Sequence, residues 1–196
     1  CRFFQRPAAS RMTAREDTVL LFVSKWVNYA YRERSEWLHD AQFGVYRILD
    51  DLGIPVRFIC EDNLEEDLSG YRALYIAFSP PELMPEGAWQ RLEALKLPMI
   101  IDTPFAPEPY TGRAIEYAEG PAGRVCVAGP FSPVQPCALS NEDGEPGLEW
   151  EGHPLGRYRP GRVTLGYAPG LIHRRGPDPR AQEGLVLWAL LRAEMR

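Results

Sequence analysis

Along the first hundred residues, short apolar runs alternate with one long stretch of helical period. Thr18-Val19-Leu20-Leu21-Phe22-Val23-Ser24 is a continuous apolar run of strand length, the pattern of a strand covered on both faces. From about Ser35 to Leu52, Trp37, Leu38, Ala41, Val45, Ile48, Leu49 and Leu52 recur at intervals of three and four, which predicts a helix, and Gly53 suits its C-cap. Pro55 to Cys60 and Arg72 to Phe78 predict a second and a third strand. Pro85 opens a short helix carrying Trp89, Leu92 and Leu95, and Pro98 to Asp102 predicts a fourth strand. Strands and helices that alternate across short turns imply a parallel sheet with helical crossovers.

The pattern changes after Asp102. Between Thr103 and Pro160 prolines and glycines are dense and no helical period survives. Short β-prone pieces stand at Arg124 to Ala128, Cys137 to Ser140 and Gly147 to Trp150, and Asn141-Glu142-Asp143-Gly144 is expected to turn between two of them. Arg162 to Tyr167 predicts a further strand, and Ala181 to Met195 a closing amphipathic helix through Leu185, Trp188, Ala189 and Arg192. Residues 1–17 are polar, Arg-rich and aperiodic, as in a linker or wrapping arm, which leaves 18–196 as a single domain.

Composition narrows the classes of function. The chain has 196 residues, a net charge of −5 and 45% hydrophobic residues, enough for one full core. An acidic balance argues against a nucleic-acid partner, which needs concentrated positive charge. No run approaches the roughly 18 apolar residues that span a bilayer, so a soluble, cytoplasmic chain without a membrane partner is expected. Cys1 to Pro7 contains neither an initiator Met nor a signal-peptide core, and is expected to be the inside of a longer polypeptide. Cys60 and Cys126 sit in apolar runs as small hydrophobes, and the Cys126–Cys137 spacing leaves a disulfide open as the alternative.

One stretch is similar to a known family. Phe43-Gly44-Val45-Tyr46-Arg47-Ile48-Leu49-Asp50-Asp51-Leu52-Gly53-Ile54-Pro55-Val56-Arg57-Phe58-Ile59 resembles the G-x-Y-R-x-L-x-x-x-G-I-P-V-D-x-I segment of glutamine-amidotransferase-like (class I) domains appended to glycoside hydrolases, notably the trimerisation domain of family 42 β-galactosidases. The resemblance continues through Glu61 to Leu64 and Asp67 to Ile76, and resumes at Asn141 to Pro146 and Gly161 to Tyr167. Where that family carries a G-G-x-L turn before its fourth strand, this chain has Lys96-Leu97-Pro98. The resemblance implies an α/β fold of flavodoxin-like or Rossmann-like kind: a three-layer parallel sheet with helices on both faces, plus a β-rich, Pro/Gly-rich C-terminal portion. It also implies a non-catalytic role in assembling or bracing a carbohydrate-active enzyme. The partner would be the catalytic domain of the same polypeptide, or further copies of the chain in a homo-oligomer such as a trimer.

The chain's own chemistry is sparse. An amidotransferase or hydrolase nucleophile needs a tight, glycine-flanked strand-to-helix turn, and neither G-x-C-x-G nor G-x-S-x-G occurs. Cys60 is followed by Glu61 and Asp62, which disfavour a thiolate, and Ser79 by two prolines, which remove amide donors. His39 belongs to the long helix, whereas His153 and His173 are expected in loops; none forms an H-x-x-x-H or H-E-x-x-H pair. No phosphate-binding glycine motif is present, and no catalytic residue, cofactor or metal is expected. Ser24, Ser79 and Asp102 end strands where open α/β sheets place ligand clefts, and are the candidate cleft residues. Trp26, Tyr29, Tyr31 and Trp37 follow the first strand and are candidates for a subunit interface or for stacking on a sugar; packing over the sheet end is the other reading. A small-molecule or carbohydrate-binding module and a stand-alone hydrolase with an unrecognised nucleophile are the alternatives to the bracing domain.

Overall fold

A computed structural model describes residues 14–31, 35–102, 114–132, 136–140 and 143–195. Most of the expected arm, residues 1–13, therefore lies outside the described residues, as do the first two residues of the expected turn at Asn141.

The expected strands form where the apolar runs predict them: β1 (Val19–Phe22), β2 (Val56–Ile59), β3 (Ala73–Ala77) and β4 (Met99–Asp102). Helices α1 (Lys25–Ala30) and α2 (Ser35–Asp51) connect β1 to β2, and α3 (Ala88–Ala94) connects β3 to β4. Beyond them come β5 (Glu116–Gly120), β6 (Gly123–Ala128), β7 (Glu145–Trp150), β8 (His153–Arg159) and β9 (Arg162–Leu165), then α4 (Pro169–Arg175) and α5 (Pro179–Glu194).

All nine strands join one sheet in the order β2-β1-β3-β4-β9-β8-β7-β5-β6. The ladders from β2 to β9 are parallel, whereas those from β9 to β6 are antiparallel. The expectation of a three-layer parallel sheet plus a β-rich C-terminal portion is thus corrected in part: the fold is α/β, but its sheet is mixed. The physical reason lies in the connections. Pro160 and Gly161, the latter at φ 79°, turn β8 tightly into β9, and a two-residue turn can join only antiparallel neighbours. Glu151 and Gly152, both at positive φ, do the same between β7 and β8. The β-prone piece at Cys137 to Ser140 is not a strand; Cys137 and Leu139 donate their amides to the carbonyls of Gly166 and Pro154.

Both faces of the parallel part are covered. On one, Leu21, Tyr75 and Ile100 pack with Val45 and Ile48 of α2, Ile172 of α4 and Leu185, Val186 and Ala189 of α5. On the other, Leu20, Phe22, Leu74, Ile76 and Ile101 meet Leu64, Leu68 and, from α3, Ala88 and Leu92. Every residue of β1, β3 and β4 is buried, which explains why these strands are apolar without alternation.

Two backbone details account for the family-like segment. Gly53, at φ 70°, ends α2: its amide reaches the Asp50 carbonyl and the Ile54 amide reaches Leu49, closing the helix as a left-handed cap does. Gly44 faces Gly170 of α4 so closely that a Cβ on Gly44 would stand 1.9 Å from the Gly170 carbonyl oxygen. Lys96 takes φ 53°, a left-handed conformation that glycine adopts more readily, at the position where the resembling family carries its Gly-Gly turn. Among the described residues no helix is long and apolar enough to cross a membrane.

Candidate functional site

The carboxyl ends of β1, β2, β3 and β4 bring Ser24, Glu61, Ser79 and Asp102 towards one end of the sheet. Ser24 is the N-cap of α1: its Oγ accepts from the Val27 amide at 3.2 Å and donates to Glu61 Oε1. Glu61 Oε2 accepts the Lys25 amide at 2.9 Å, so one carboxylate closes the start of α1 from the side of β2. Ser79 Oγ donates to the Ala77 carbonyl at 3.0 Å and accepts from the Ser24 amide at 3.3 Å. Ser24 and Ser79 are thus joined directly, and both are fully buried.

Asp102 belongs to the same sheet end but is engaged elsewhere. Its Oδ1 accepts from the Phe78 amide at 2.7 Å, and its Oδ2 accepts from the Tyr75 hydroxyl at 3.1 Å. The side chain is 1% exposed, and burial pushes its carboxyl well above the ordinary aspartate range, against the pull of these two donors. Tyr75 is likewise pushed well above the usual phenol range by burial and the neighbouring carboxyl. Phe78 holds φ 42°, an uncommon backbone for a non-glycine residue, and the Asp102 side chain and carbonyl both accept its amide.

A second buried chain of polar groups lies next to α5: the Tyr167 hydroxyl donates to Gln182 Oε1 at 2.8 Å, and Gln182 Nε2 donates to the Cys126 carbonyl at 2.7 Å. Nothing in the sequence marks Gln182 as buried; it is fully enclosed because it supplies both partners.

The four aromatic candidates divide. Tyr31, Trp37 and Phe78 pack edge-to-face with ring centroids 4.9–6.0 Å apart, so Tyr31 and Trp37 close over the end of β3. Trp26 and Tyr29 stand on α1 at 54% and 75% exposure. A shallow hollow of about 340 Å³ lies at the opposite end of the parallel strands, bordered by Met99, Arg159 and Arg162.

The described cysteines stand apart from the Ser24–Ser79 pair. Cys60 caps the short 3-10 turn Glu61–Asn63, its amide donating to Asn63 Oδ1 at 2.9 Å. Cys126 is buried, and its thiol is pushed up to about 11, chiefly by desolvation. Cys126 and Cys137 are free thiols, so the disulfide left open by their spacing does not form.

The loop placement expected for two histidines is corrected. His153 begins β8 and His173 lies in α4, where Pro169 at the first turn starts a helix inside what is otherwise a Pro/Gly-rich segment. His173 meets Asp51 of α2 and Glu183 of α5, a convergence of three helices that no local spacing reveals.

No protein-family model matches the chain, and no curated protein matches it in sequence. Among solved structures it is similar to a β-galactosidase from the psychrophilic Marinomonas ef1, with a TM-score of 0.62 at 11% identity over 92% of this chain and 29% of that one. It is also similar to α-L-fucosidase isoenzyme 2 from Paenibacillus thiaminolyticus, with a TM-score of 0.53 at 14% identity over 90% of this chain and 32% of that one. The chain spans under a third of the length of either enzyme, and what it shares with a part of each is the fold.

Proposed function

We propose that this chain is a non-catalytic, amidotransferase-like domain of a glycoside hydrolase, bracing the catalytic domain or the contacts between subunits. The observation that carries the reading is the state of the strand ends. Ser24, Ser79 and Asp102, at the edge where open α/β sheets hold their ligands, are buried and hydrogen-bonded to the protein itself. Ser79 donates to a backbone carbonyl and has no hydrogen-bonded base among the described residues, which is not the arrangement of an activated nucleophile. The likeness of fold to parts of a β-galactosidase and an α-L-fucosidase supports a glycoside hydrolase as the parent. Trp26 and Tyr29 are the exposed anchors available for a neighbouring domain or subunit.

The test is analytical ultracentrifugation of the chain alone and of the intact polypeptide, together with turnover of aryl galactosides and fucosides by the chain. Self-association, or binding to a separately produced catalytic domain, that is lost in Trp26→Ala/Tyr29→Ala is expected, with no turnover. A monomer that binds no such domain, or turnover abolished by Ser79→Ala or Cys60→Ala, would overturn the proposal.

The exposed ring of Trp26 also favours a second reading, in which α1 stacks on a sugar. A tryptophan fluorescence change on adding galactosides, absent in Trp26→Ala, would select it.

A further inference from the structure

We propose that Asp51, His173 and Glu183 form a binding site for a single divalent transition-metal ion of the zinc class, which ties α2, α4 and α5 together. Their ligating atoms all lie within 4.8 Å of one another. His173 Nε2 stands 3.4 Å from Glu183 Oε1 and 3.8 Å from Asp51 Oδ2.

These separations are long for direct hydrogen bonds, which centre near 2.7–3.2 Å. The 3.4 Å separation suits the edge of a coordination shell, since two ligands about 2.1 Å from one tetrahedral ion stand roughly 3.4 Å apart, and the 3.8 Å pair would close by a few tenths of an ångström on binding. Imidazole with two carboxylate oxygens is a donor set that zinc-class ions accept, with the remaining position left to water. Calcium and magnesium, which prefer all-oxygen shells, are poorer occupants.

The surroundings favour a cation. Asp51 is the last residue of α2 and His173 lies in the last turn of α4, so the carbonyl ends of two helices point their partial negative charge towards the site. Three nearby arginines are already paired. Arg47 donates to Asp50 Oδ2 at 3.2 Å and to Asp51 Oδ1 at 3.1 Å, which leaves Asp51 Oδ2 facing the imidazole. Arg174 and Arg175 both pair with Asp40. The Arg47 hydrogen bond to Asp51 Oδ1 orients that ligand as a hydrogen-bonded outer shell orients metal-binding carboxylates. His173 has a side chain only 9% exposed, and its buried Nδ1 has no hydrogen-bond partner among the described residues. Its Nε2 is therefore the nitrogen aimed at polar partners. Asp51 and Glu183, at 35% and 25% side-chain exposure, leave the rim open for an ion to enter.

The rival arrangement is a protonated imidazole held between two carboxylates with no metal. Titration of the chelator-stripped chain with zinc ion by calorimetry separates the two. One equivalent of zinc is expected to bind and to raise the thermal midpoint. His173→Gln and Glu183→Gln should each weaken binding about tenfold or more. The His39→Gln/His153→Gln double variant and Cys60→Ser should bind as the parent does. Cobalt(II) in place of zinc should show visible bands of nitrogen and oxygen ligation that disappear in His173→Gln. Should His173→Gln fail to fold, Asp51→Asn, at the exposed rim, replaces it and is expected to weaken binding likewise. Failure to bind one equivalent, or equal binding by the parent and the ligand variants, would overturn the proposal.

Discussion

The two halves of the sheet solve the problem of burial differently. In β1, β3 and β4 every position is buried, because helices cover one face and α3 with the 61–71 segment covers the other. In β5 and β7 only the central residues are buried, with exposed glutamates beside them. The antiparallel half packs Val125, Leu148 and Leu155 with α5, while Tyr117 and Glu149 remain in contact with solvent. β1, β3 and β4 are therefore specified by apolar content, and β5 and β7 by turns and by one-sided packing.

The largest expected break in this contrast is Ile76→Ala, which opens a cavity between two covered faces and should cost about 2–5 kcal/mol in denaturant unfolding. A cost below about 1 kcal/mol would show that the parallel half is loosely packed. Gly170→Ala acts at the seam between α2 and α4, where its Cβ would meet the Ala41 carbonyl oxygen at 2.0 Å. It should lose about 3 kcal/mol, near the top of the range for overpacking, and an unchanged midpoint would mean that the two helices separate freely.

The third effect depends on pH. Burial raises the folded Asp102 carboxyl above its unfolded value, so between these two values the folded state holds a proton that the unfolded chain has released. Stability from this group is complete below the ordinary aspartate range near about 3.9 and is lost as pH rises through the raised folded value. The slope reaches at most about 1.4 kcal/mol per pH unit, and Asp102→Asn should abolish it. Equal slopes in parent and variant, measured by urea unfolding across that window, would remove Asp102 as the cause. The smallest effect is expected from Tyr117→Ala in the antiparallel half. Its ring is 37% exposed beneath Arg124, and its loss should cost under about 1 kcal/mol. A cost matching that of Ile76→Ala would erase the contrast between the halves.

Ser24, Ser79 and Asp102 were legible as strand-end residues because each follows an apolar run. Their burial was not, since it depends on Glu61, Tyr75 and the Phe78 backbone arriving from other strands. Helix α4 was missed because seven residues of Pro-Gly-Leu-Ile-His-Arg-Arg carry little periodicity. Strand β8 is not marked by the sequence because Pro154 and Gly156 lower its local preference for extended structure.

By itself the sequence determined the elements whose stability is local or two-sided: the apolar strands β1, β3 and β4, the long amphipathic α2 and its Gly53 cap. It also determined that no glycine-flanked nucleophile turn is present. Only the tertiary structure decided that the β-rich portion continues the same sheet in antiparallel sense. Only the tertiary structure paired Tyr167 with Gln182 and brought Asp51, His173 and Glu183 together from three helices. The physical reason is range. Hydrophobic period and turn chemistry act within a few residues, whereas strand order and side-chain convergence depend on contacts between segments tens of residues apart.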